Sequence, residues 1–81
     1  MSTYLRDNFS VGDLVSMKYA GQELIGHVTD VGASILRMAF NYDSHGRDGL
    51  WHTWQTACGV EREMEEGILR VVARANEGQI G

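Results

Sequence analysis

Histidine and cysteine are the side chains that most readily hold zinc or drive nucleophilic chemistry, and this chain offers His27, His45, His52 and Cys58. No two of them stand two to four residues apart, the spacing at which one short segment presents a ligand pair. A metal centre would have to be gathered from separate segments, so no metal ligand is assigned. Cys58 would need His52, on the adjacent strand, as its base to act as a nucleophile. A single cysteine without a visible activating neighbour reads instead as a small buried apolar residue. His27 and His52 read as exposed on strand faces, and His45 as part of a solvated loop. The chain contains no nucleophile elbow, Gly-rich phosphate loop or paired carboxylates, and Gly46-Arg47-Asp48-Gly49 lacks the following helix that a phosphate cradle needs. No catalytic residue and no cofactor is therefore assigned.

Binding chemistry is better represented. Tyr19, Phe40, Tyr42, Trp51 and Trp54 are too many rings for the interior of so small a chain. Phe40 and one tryptophan are expected in the core. The remainder are expected to form a surface for a protein partner or for further copies of the chain, with Tyr42, Trp51, His52 and Trp54 as candidate partner-binding residues. A methylated-lysine cage would use the same ring types beside Asp43 or Asp48, provided that three rings converge on one mouth. The glutamates Glu61, Glu63, Glu65 and Glu66 read as a solvated face. Their sharper reading is electrostatic: a compact acidic protein can dock on the basic, nucleic-acid-binding surface of another protein, as small phage-borne inhibitors of host proteins do.

The elements that must position these residues are short. There is no proline and there are ten glycines, which suits extended segments joined by tight turns. Val15, Met17 and Tyr19 alternate with Ser16 and Lys18, as a half-buried strand requires. Ala20-Gly21-Gln22 breaks the chain before a second strand, Glu23 to Val31, in which Gly26 would admit a close neighbour. Gly32-Ala33-Ser34 turns it again. Leu36, Met38, Phe40 and Tyr42 alternate along a third strand, and Asp43 to Gly49 is dense in loop formers. A fourth strand, Leu50 to Gln55, places Trp51 with Thr53 on one face and Trp54 with Leu50 and His52 on the other. Residues 56–67 admit two readings. Val60 and Met64 are one helical turn apart, which favours a short helix near residues 59–66, whereas Glu65-Glu66-Gly67 could instead turn a hairpin. Ile68 to Val72 is a strand under either reading. This divides the chain into an N-terminal extension (1–8), one strand-rich domain (9–74) and a tail (75–81).

Composition bounds the function classes. Eighty-one residues accommodate one core. A lone cysteine fits a reducing compartment, and the opening residues lack the apolar run of a secretory signal, so a cytoplasmic location is expected. No stretch approaches the roughly 20 apolar residues that span a bilayer, so no membrane association is expected. A formal net charge of −4 with a single lysine opposes nucleic acid as the main ligand, because such affinity rests on neutralising phosphates.

Phe9-Ser10-Val11-Gly12-Asp13-Leu14-Val15, the turn at Gly21, Gly26-His27-Val28-Thr29-Asp30-Val31 and the alternating third strand resemble the first three strands of SH3-like barrels, of which Tudor-like and KOW-type domains are examples. The resemblance covers about residues 9 to 42, with Leu69-Arg70-Val71-Val72 resembling the closing strand. It implies an all-β (mainly β), five-stranded SH3-like barrel, a scaffold whose members bind peptides, methylated side chains, RNA or other subunits. Phe9, Gly12, Asp13, Val15, Lys18 and Gly26 also look like the N-terminal pattern of plasmid-borne type II dihydrofolate reductases, which are tetramers around one pore. That family's Val-Gln-Ile-Tyr binding strand has Trp51-His52-Thr53-Trp54 as its nearest counterpart here, and none of the four residues matches. The expectation is a non-enzymatic protein-interaction module that binds a protein partner or its own copies. A nucleic-acid-binding barrel, an oligomeric enzyme of the type II reductase kind and a phage or mobile-element inhibitor of a host protein are the alternatives.

Overall fold

A computed structural model describes residues 3–42 and 49–75. Helix α1 (Tyr4–Asn8) leads into β1 (Leu14–Tyr19), β2 (Gln22–Val31), β3 (Ile35–Asn41) and β4 (Leu50–Thr56), then α2 (Ala57–Glu65) and β5 (Leu69–Ala73). The strands form one antiparallel sheet in the order β4-β3-β2-β1-β5. The fold is thus mainly β, a small barrel-like domain, and each expected strand is present to within about one residue of its ends.

The sheet encloses its own core. Val15 and Met17 of β1, Leu24 and Val28 of β2, Leu36, Met38 and Phe40 of β3, and Leu69 of β5 belong to one buried cluster, which a flat sheet could not form with its own face. The β2–β3 pair carries two features that bend the sheet. At Gly26, opposite Phe40, an added Cβ would lie 2.2 Å from the Ala39 carbonyl oxygen and 2.8 Å from the Phe40 Cα, so only glycine permits that approach. Between Val28 and Asp30 the pairing with β3 shifts by one residue, a bulge that bends β2. Ala20 and Gly21 both have positive φ (50° and 79°) in the two-residue β1–β2 turn, which matches the twist of the hairpin.

The order leaves β4 and β5 as the two edges, and α2 packs between them through Val60. Residues 56–67 therefore resolve as a helix. Thr56 caps it by accepting the Gly59 N–H at 3.2 Å. Gly67, with φ 76°, ends it: its N–H donates to the Met64 carbonyl and that of Ile68 to the Glu63 carbonyl, the paired bonds of a Schellman cap. Gly67 supplies a left-handed residue, at a helix end and not in a hairpin.

Within the N-terminal extension, α1 sends Leu5, fully buried, into the core, and Phe9 follows it one turn later. Asp13, only 1% exposed, fastens this region to the end of β5. Its carboxylate accepts the Ser10 N–H at 2.9 Å and the Ala75 N–H at 2.8 Å, and Arg74 reaches it at 3.4 Å while also donating to the Asn8 carbonyl. Residues 43–48, which hold His45, Asp43, Asp48 and most of the expected loop, and residues 76–81 of the tail lie outside the described residues.

Candidate functional site

Three rings meet at one end of the sheet. Tyr19 ends β1, Tyr42 directly follows β3, and Trp51 is the second residue of β4. The Tyr19 and Trp51 ring centres are 4.8 Å apart, and Tyr42 lies 5.9 Å from each. Phe40, fully buried and opposite Trp51 in register, joins them to the core at 6.4 Å. Alternation explains the grouping, because Tyr19 shares its face of β1 with Val15 and Met17, and Trp51 shares its face of β4 with Thr53 and Gln55. At these separations the three rings pack on one another, and Asp43 and Asp48, the acidic neighbours of the expected methylated-lysine cage, lie outside the described residues.

A groove of about 240 Å³ runs beside the cluster, lined by Met17, Tyr19, Met38, Trp51, Gln55 and Glu63 among others. Its polar end is built where β4 meets α2. The Gln55 amide accepts the Thr56 N–H at 3.0 Å through its oxygen and donates at 3.3 Å to the Glu63 carboxylate through its nitrogen. Glu63 is thereby turned toward the groove from a helix whose other glutamates, Glu61, Glu65 and Glu66, are exposed.

Trp54 faces the opposite way from Trp51 and is 57% exposed. It lies on the edge strand, so it lines the inner groove and also a smaller outer depression of about 160 Å³ with Thr29, Arg37 and His52. The four candidate partner-binding residues are accordingly divided: Tyr42 and Trp51 belong to the inner ring cluster, His52 and Trp54 to the outer face, and Trp54 connects the two around the β4 edge. His27 and His52 are exposed on the outer face, flanking the fully buried Ala39 in register. Cys58 departs from expectation. It is exposed rather than buried, because it sits in the first turn of α2, whose inward side is taken by Val60. Among the described residues no three His, Cys, Asp or Glu side chains are grouped to hold a metal ion.

Tyr19, Met17, Met38, Gln55 and Glu63 were not among the candidate site residues. The alternation of β1 and β4 already places Tyr19, Met17, Trp51 and Gln55 on inward faces. Glu63 is different, since only the choice of helix over hairpin turns it toward β4. Helix α1 and all other described helices are too short and polar to cross a membrane. Comparison with family models, with curated proteins and with solved structures gives no match for this chain.

Proposed function

We propose that this chain is a non-enzymatic interaction module, an SH3-like small barrel that captures a segment of a protein partner around the β4 edge. The observation that carries the reading is Trp54: a large, 57% exposed indole shared by two concave surfaces, the inner one rimmed by Tyr19 and Trp51. Tryptophan and tyrosine dominate interface hot spots because they remove much apolar area from water at little rotamer cost, and edge strands are natural places for partner chains to dock. A second copy of the chain is one such partner.

The test compares the tagged wild-type chain with Trp54→Ala, whose exposed position leaves the core intact, and with Tyr19→Ala at the rim. A partner retained by the wild type and reduced about tenfold or more by Trp54→Ala, at unchanged circular dichroism, is the expected result. Native mass by sedimentation shows whether that partner is the chain itself. Equal retention and equal native mass for the wild type and both variants would overturn the reading.

A further inference from the structure

The inner groove combines an apolar trough with one carboxylate at its end, and that combination specifies more than an aromatic surface does. We infer that it selects a cationic side chain, a lysine or arginine presented by the partner segment, whose alkyl stem lies along Tyr19 and Trp51 and whose charged head meets Glu63. This inference rests on the proposed interaction module.

The size of the groove sets the scale of the occupant. At about 240 Å³ it falls below the roughly 300–1,000 Å³ of clefts that hold drug-sized ligands, which suits a single long side chain. Met17 and Met38, both buried in the core, form its apolar floor. Tyr19 and Trp51 present π-systems that attract a cation and repel an anion.

Glu63 supplies the charge. Gln55 holds it by a single neutral donor at 3.3 Å, and among the described residues no arginine or lysine lies within ion-pairing distance of it. Lys18 also lines the groove, and Glu23, opposite it in the β1–β2 register, pairs with Arg70 at 2.9 Å, so the selection of a cation rests on Glu63 and the rings outweighing the Lys18 ammonium. The position of Glu63 is unfavourable for α2 itself. Together with Glu65 and Glu66 it places negative charge around the C-terminal end of a helix, where the backbone dipole is already negative and Arg62 is the basic residue of the last turn. A cationic head in the groove would relieve that repulsion as it forms its own charge-assisted hydrogen bond. Arginine-rich or lysine-bearing segments also match the net charge of −4, which accelerates their approach.

The experiment follows amide and indole resonances of the full chain during titration with n-butylammonium and n-butylguanidinium, against n-butanol and butyrate as neutral and anionic probes with an alkyl stem of comparable length. The cations are expected to shift Trp51, Gln55 and Glu63 and to bind more tightly than either control. Glu63→Gln keeps the shape of the side chain and its contact with Gln55, and should weaken cation binding roughly tenfold, the scale of one charge-assisted hydrogen bond, while leaving butanol unaffected. Equal binding of butanol and the cations, or indifference to Glu63→Gln, would overturn the inference. Because partner capture is read separately through Trp54→Ala, such a result would leave the interaction module standing, whereas loss of that module would appear in the capture experiment alone.

Discussion

Partial burial raises the pKa of the Tyr4 hydroxyl above its ordinary value of 10.0, and the Glu61 and Glu65 carboxylates of α2 add to the rise. The neutral phenol is therefore the form that the fold favours. The unfolded chain releases this proton first, so the contribution is complete below pH 10 and is lost as pH climbs through the higher folded pKa. The urea midpoint of the wild type should fall between about pH 9 and pH 11 by more than that of Tyr4→Phe, which has no phenol to ionise. Parallel declines in the two proteins would remove Tyr4 as the cause. At this scale the alternation of Trp51 and Trp54 was legible, because period two sends residues three apart to opposite faces. The exposure of Cys58 was not, since it depends on which side of a short helix points inward.

The close approach of β2 and β3 was visible in the sequence as a glycine inside an otherwise apolar alternation. Gly26→Ala drives a methyl group into backbone atoms that cannot swing aside, so it is expected to cost about 3 kcal/mol or more, read as a lowered urea midpoint. Retention of wild-type stability would mean that the sheet can open at Phe40 without loss. Helix α2 was only half legible. Val60 and Met64 fit both periods, and the cap at Thr56 lacks the glutamate three residues on that would have marked a helix start, because Gly59 occupies that place. Five-residue α1 carries no pattern long enough to read and would not persist alone. It exists because Leu5 and Phe9, four residues apart, both reach the core.

At the scale of the whole molecule, three arginines among the described residues have carboxylate partners. Arg70 meets Glu23 at 2.9 Å, Arg74 meets buried Asp13 at 3.4 Å, and Arg37 lies 4.0 Å from Asp30, while Glu61, Glu65 and Glu66 of α2 are exposed. A polyanion would meet a net charge of −4 and a repelling helix. No retardation of single- or double-stranded oligonucleotides is expected at about 50 mM salt, and binding that weakens as salt is raised would contradict this picture. Folding order is set by another feature at the same scale. The bond from Ala75 to Asp13 spans 62 positions and cannot form until β5 returns to β1. That bond forms only once the barrel closes and the entropy of a long loop has been surrendered. Asp13 is expected to act as a kinetic clasp: its bond to Ser10 is local, but those to Ala75 and Arg74 require the closed barrel, so they should retard opening more than they hasten assembly.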